Sequence, residues 1–498
     1  MEIIWLMTAG TIGMSYAWGM RGTLIGHGQG AMVPGAMLGF FMAAMASLLG
    51  MSAAWENVWL LCGVGAAAMY FGGDMTYGQT IGLAFDGTKT GFRRGMGGLF
   101  LRGAIWFGVA GGWLAIAFAA FYRGVYTAWE LPAAVAAAAA LRAAGVRLLN
   151  RPHAPEQGRL PRFYFSKNRP ECWGGYLLVW VGLALWMLCR GDMRSLVISA
   201  LAALGGGLGW FFGNSMQLWS KRPFRSGRLF LGALNRAGMV NGWKIMECSI
   251  GALGGFGALF GFWLAYRKAP AAAASFEPLL APFSSAAVAA AAVWLALLLA
   301  YSALSIRAAA LPPYRPELER LRTLGLISEE SYEKKCASAT DERPSGLLGA
   351  VAKYGGAGDR LVYAVLPLLL SLSGSALAAQ LEAVFVVVWV LMERMLFGRF
   401  EDFKGLAAIR AFFLLLSAAV LAGQLLCYPA GWPPVWMMAI YTAFYTAVML
   451  INDYRPKNFQ QMRAAQTGFV KAFGANITKG LYFVLCSAAV MLWCVLAL

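Results

Sequence analysis

Histidine is almost missing from this chain, with His27 and His153 the two in 498 residues. That is too few for haem or zinc centres of the usual kinds. Eight cysteines (Cys62, Cys172, Cys189, Cys248, Cys336, Cys427, Cys486, Cys494) are scattered, with no CxxC pair and no metal-ligand spacing, so they read as small apolar helix residues. GxSxG, HExxH, HxxEH and paired Asp-Asp motifs do not occur, nor does an ATPase signature. Charge is scarce as well, at 13% of residues, where soluble domains carry about 25%.

Hydrophobic residues fill the difference, at 60% of the chain with a mean hydropathy of +0.61. The fold expected is all-α, a polytopic integral membrane protein in the lipid bilayer with no resident cofactor. The opening MEIIWLMTAGTIGM has no basic n-region and no small-residue cleavage site, so it is expected to be a retained first span. Apolar runs of about 20 residues, enough to cross roughly 30 Å of hydrocarbon, fall near 1–18, 30–50, 56–73, 98–121, 128–148, 173–190, 194–213, 244–266, 285–308, 358–378, 381–398, 405–425, 433–452 and 478–497.

Loop charge checks this count of fourteen. The odd loops and their edges hold 36 of the 41 lysines and arginines; Arg123, Arg190, Arg194, Arg267 and Lys268 alone belong to the even loops. A miscounted span would scramble that segregation. The positive-inside rule therefore puts the odd loops in the cytoplasm and both termini outside, in a bacterial-type inner membrane. It also explains the formal charge of +18 without nucleic acid as a partner.

Residues 309–357 form the largest cytoplasmic insert, dividing the membrane part into 1–308 and 358–498. Within it, RPELERLRTLGLISEESYEKK aligns Leu318, Leu321 and Leu324 on one helical face, Gly325 can end that helix, and Ser328 with Glu329 and Glu330 can cap the next. Residues 316–335 resemble the short helical hairpin of SHOCT-type domains, with its LG-I-(S/T)-EE-aromatic-x-KK core. The resemblance implies a small docking element or self-association through 316–335. An internal parallel repeat is also suggested. Gly73-Asp74 matches Gly213-Asn214 at an offset of 140, and Gly108 with Gly111-Gly112 matches Gly251 with Gly254-Gly255 at 143. The repeats would run about 30–148 and 173–308.

The candidate site residues come from polar breaks in these spans. Residues 19–39, GMRGTLIGHGQGAMVPGAMLG, carry seven glycines. If span two starts near Gly30, its free N–H groups, with Gly28 and Gly30, point into a loop holding Arg21 and His27, a recipe for binding a carboxylate or phosphate. The competing reading is tight packing through Gly35xxxGly39. Asp74 closes span three. An ionisable group at that depth is a functional hypothesis by default: binding Na+ or a proton, pairing with Arg21 or Arg102, or serving as a base. Gln79 follows it; Asn214 and Gln217 stand at the matching place in the second repeat. Glu247, one turn inside span eight, is a second coupling carboxylate, or a partner for Lys244.

Together these point to a secondary transporter or flippase for a small or amphiphilic anionic solute, coupled to H+ or Na+. Arg21, His27, Gly28, Gly30, Gln79, Asn214 and Gln217 would bind substrate, and Asp74 and Glu247 would couple the ion. The alternatives are a membrane-embedded transferase acting on a lipid phosphate at the cytoplasmic face, and a structural subunit of a membrane complex.

Overall fold

The computed structural model describes residues 1–24, 27–75, 78–161, 163–165, 170–221, 241–268, 278–280, 284–309, 311–323, 327, 329–375 and 480–490, with isolated positions at 377, 379, 382, 442, 443, 446, 492 and 493. The spans expected near 381–398, 405–425 and 433–452 lie outside these residues almost entirely. In chain order the helices are α1 (Glu2–Leu24), α2 (His27–Leu48), α3 (Ala53–Glu56), α4 (Val58–Tyr70), α5 (Gly78–Ala84), α6 (Lys89–Arg123), α7 (Glu130–Asn150), α8 (Trp173–Cys189), α9 (Met193–Lys221), α10 (Gly242–Tyr266), α11 (Ser285–Ala309), α12 (Arg315–Thr323), α13 (Glu329–Cys336), α14 (Gly346–Arg360), α15 (Leu366–Leu372) and α16 (Gly480–Val490). No strand occurs among the described residues; two isolated bridges join Ala154 to Arg159 and Tyr314 to Thr340.

Among the described residues, seven helical stretches are long and apolar enough to cross a membrane: Gly28–Leu48, Lys89–Arg123, Glu130–Asn150, Met193–Ser220, Gly242–Tyr266, Ser285–Ser305 and Gly346–Leu372. That composition is compatible with a membrane-embedded protein. At the centre stands α6, whose apolar stretch is wholly buried. Glycine seams set the packing. A Cβ on Gly103 of α6 would strike the carbonyl oxygen of Gly206 on α9, and one on Gly35 of α2 would strike that of Gly65 on α4. Such backbone-to-backbone approach is how apolar helices gain van der Waals contact where no hydrophobic driving force separates them from lipid.

Helix ends assigned to a common face by the charge count meet in the structure. At one end the even loops gather. Tyr126 donates to Asp192 Oδ2 at 2.9 Å, Arg190 pairs with Glu130 at 3.3 Å, and Arg123 and Arg194 lie over the Tyr266 ring at 5.9 and 5.6 Å. At the other end the odd loops do the same. Arg94 lies 5.3 Å from the Tyr164 ring, Arg102 pairs with Glu171 at 3.4 Å, and Lys244 Nζ donates to Gly19 O at 3.2 Å.

The glycines that suggest a repeat pack against different neighbours. Gly108 and Gly111 meet Trp180 and Ala202, whereas Gly251 and Gly254 meet Met14 and Phe107. Helix contact accounts for them without a repeated environment. In the insert, α12 and α13 pack together, with Arg322 Nε donating to Glu329 Oε2 at 3.0 Å and its guanidinium 4.5 Å from the Tyr332 ring. Gly325 and Ser328, the expected stop and cap, lie outside the described residues. The next helix begins at Gly346, twelve residues before the expected span at 358.

Candidate functional site

Three separate elements, α7, α8 and α14, converge on Asp74. FGGD, residues 71–74, winds one 3₁₀ turn at the end of α4, the usual way for a helix terminus to tighten its last carbonyls. Trp106 of α6 fixes that turn: its indole N–H donates to Met69 O at 2.8 Å and its ring fills the space where Gly72 lacks a Cβ. Opposite, α7 and α8 are drawn together where Gly145 faces the Gly174 carbonyl, and Asn150 Oδ1 accepts the Gly174 N–H at 2.8 Å, capping the first turn of α8. This close approach places Tyr176 beside Arg142, whose guanidinium lies 5.0 Å from the Tyr176 ring.

Asp74 Oδ2 accepts from the Tyr176 hydroxyl at 2.7 Å, from Arg360 Nη1 at 3.0 Å and from Arg142 Nη2 at 3.5 Å. The side chains are 20 to 26% exposed, so these ion pairs are neither surface pairs nor sealed ones. The buried Arg142 Nε has no hydrogen-bond acceptor among the described residues. Two cations thus share one carboxylate, with N–H donors left over.

The polar cluster closes one end of a cavity of about 250 Å³. Its other walls are apolar: Phe71, Val109 and Trp113, then Val135, Ala138 and Ala139 of α7, Val179 of α8, and Leu361, Val365 and Leu368. One wall is irregular for a sequence reason. Pro367 has no N–H to give the carbonyl four residues earlier, and residues Leu361–Val365 just before it form a π turn between α14 and α15. Trp294 of α11 donates to the Val362 carbonyl at 3.0 Å within that turn. Such turns recur at functional sites.

Asp74 therefore takes neither Arg21 nor Arg102, the partners offered by the sequence. Arg102 is engaged by Glu171 and Thr80. Arg21 stacks over Trp18 and Trp106 at 5.0 and 5.2 Å. Helix α2 starts at His27 rather than Gly30, so His27, Gly28 and Gly30 all belong to its first turn. Gly28 packs against the Tyr70 ring, and Gly35 and Gly39 lie against the backbone of α4, as the packing reading requires. Gln79 lies on α5. Asn214 is buried on α9 with its amide donated to Trp210 O at 2.7 Å, and Gln217 is buried one turn on. Glu247 is held by Lys244 and by the Trp243 indole N–H at 2.9 Å.

Sequence reasoning missed Arg142, Tyr176 and Arg360 as site residues. Both arginines were counted as loop charge. A signal existed: Arg142 stands two turns inside α7, amid alanines, where a loop charge has no reason to be. Tyr176 follows the Gly174-Gly175 pair that lets the helices touch.

Among the described residues no group of three or more His, Cys, Asp or Glu side chains is placed to hold a metal ion. Comparison with protein-family models, with curated proteins and with solved structures finds no match for this chain.

Proposed function

We propose that the protein is a secondary transporter or flippase for an amphiphilic anionic solute, in a bacterial-type inner membrane with the Asp74 cluster on the cytoplasmic side. One observation carries the reading: an apolar cavity whose single polar end presents two guanidiniums, from α7 and α14, to whatever enters. Apolar walls suit a hydrocarbon body; Arg142 and Arg360 suit a carboxylate or phosphate head. A head group arriving there competes with Asp74 for the same N–H donors. Asp74, released, is the group placed to take up the coupling H+ or Na+. Arg21 and the first turn of α2, reached from α6 through Trp106, would guide the anion inward, and Gln79, Asn214, Gln217 and Glu247 remain candidate polar positions on the same side.

The test is uptake of a fluorescent fatty acid into proteoliposomes. A charged hydrogen bond contributes about 1.5–3 kcal/mol, so Arg142→Gln or Arg360→Gln should cost about tenfold or more in apparent affinity. Unchanged uptake by both variants would remove the site. A strict divalent-metal requirement for a covalent product would instead favour the lipid-phosphate transferase.

A further inference from the structure

A second hollow, of about 290 Å³, lies between α7 and α8. Ala138 and Val179 wall both this hollow and the first. The second hollow runs from there to Glu130 and Trp186 at the opposite end of the two helices. From Arg142 to Glu130 the rise along α7 is about 18 Å at 1.5 Å per residue. Between them α7 presents mostly alanine, and its Leu141 side chain packs against Gly182 of α8. Helix α7 is also lightly covered: 17% of its apolar stretch is buried, against all of that of α6.

The two ends differ electrically. At one, Arg142 and Arg360 exceed their single carboxylate partner. At the other, the lining residue is an acid: Glu130 accepts from Arg190 at 3.3 Å and from Thr127 N and Oγ1 at 2.7 and 3.0 Å. A narrow apolar lane with two guanidiniums at one end and the hydrogen-bonded Glu130 at the other matches an acyl chain carrying an anionic head group. A small acid would have no use for the walls.

We infer that α7 and α8 form an acyl-chain lane, and that the substrate of the Arg142–Arg360 site is an anionic lipid rather than a small water-soluble acid. This rests on the transport reading above and makes it specific.

The experiment uses the full chain in phosphatidylcholine vesicles with trace fluorescent phosphatidylglycerol, whose inner-leaflet fraction is followed by dithionite quenching. Uptake of radiolabelled butyrate is measured in parallel. Ala138→Trp adds bulk to the wall the two hollows share; Ala136→Trp adds the same bulk to the exposed face of α7, outside both. Ala138→Trp should slow lipid translocation at least tenfold while Ala136→Trp leaves it unchanged, and butyrate should not be carried by any form. Full translocation by Ala138→Trp, equal loss in Ala136→Trp, or butyrate transport insensitive to Ala138→Trp each overturns the lane. If Arg142→Gln/Arg360→Gln still abolishes movement in those cases, the transport reading stands without the lane. If that double variant moves both probes normally, or the wild type moves neither, the transport reading falls with it.

Discussion

Replacing Asp74 by Asn separates anion binding from ion coupling. The wild-type carboxylate lies 3.0 Å from Arg360 and 3.5 Å from Arg142. At an effective dielectric of about 20, each such pair is worth roughly 5 kcal/mol of Coulomb attraction, a ceiling that solvent lowers. An incoming anion must offset part of that attraction before it gains the guanidiniums. Asparagine keeps an acceptor for the Tyr176 hydroxyl but no charge. The net gain expected for the anion is about 1.4 kcal/mol, or tenfold tighter binding. Folding should weaken by about 1–3 kcal/mol, because the two partly buried cations lose their counter-charge. Binding is therefore read by fatty-acid fluorescence titration on protein that elutes as a single peak. Accumulation driven by a pH or Na+ gradient should disappear, since the amide can carry neither ion. Weaker binding in Asp74→Asn, or gradient-driven accumulation equal to wild type, would refute the role assigned to this carboxylate.

Two further outcomes test the packing and the second carboxylate. Gly39→Ala would push a methyl into the Leu61 carbonyl across the α2–α4 seam and should lower stability by about 1–3 kcal/mol, whereas Gly82→Ala on α5 meets nothing within 4 Å and should stabilise by up to about 1 kcal/mol; thermal unfolding in detergent reads both. Lys244→Met leaves Glu247, itself buried, facing the Trp243 indole without a cation, and should cost about 2–3 kcal/mol that Lys244→Met/Glu247→Gln largely restores; gradient-driven uptake by that double variant reports whether Glu247 also couples the ion.

Much of the helical plan was legible because its signals are collective. Long apolar runs mark the helices, and the segregation of lysine and arginine sorts the loops between them into two groups. The contacts of Tyr126 with Asp192 and of Lys244 with Gly19 join loops that the charge count had already grouped. Asp74 stood out for a local reason, as a carboxylate at the end of an apolar helix. Its partners were not. Arg142, Tyr176 and Arg360 lie 68, 102 and 286 residues away, and apart from the placing of Arg142 amid alanines nothing in a single sequence reports which loop charge turns inward. The glycine-rich stretch 19–39 allowed two readings for a physical reason: glycine that opens a helix and glycine that lets two helices touch look alike in sequence. Gly35 and Gly39 of α2 proved to be contact positions against α4, and α2 runs through Pro34 without ending. Pro367 was an unused clue, since a proline inside an apolar run signals a break in the helical ladder, and here that break walls the cavity.

The central claim is that anionic lipid heads bind at Arg142 and Arg360 with their chains along α7. Photolabelling tests it directly, with an anionic lipid that carries a diazirine in its acyl chain and peptide mapping of the adducts. The expected labels fall on α7 between Glu130 and Arg142 and on the facing residues of α8, and they vanish in Arg142→Gln/Arg360→Gln. Labelling spread evenly over the apolar surface, with the same pattern in the double variant, would contradict it.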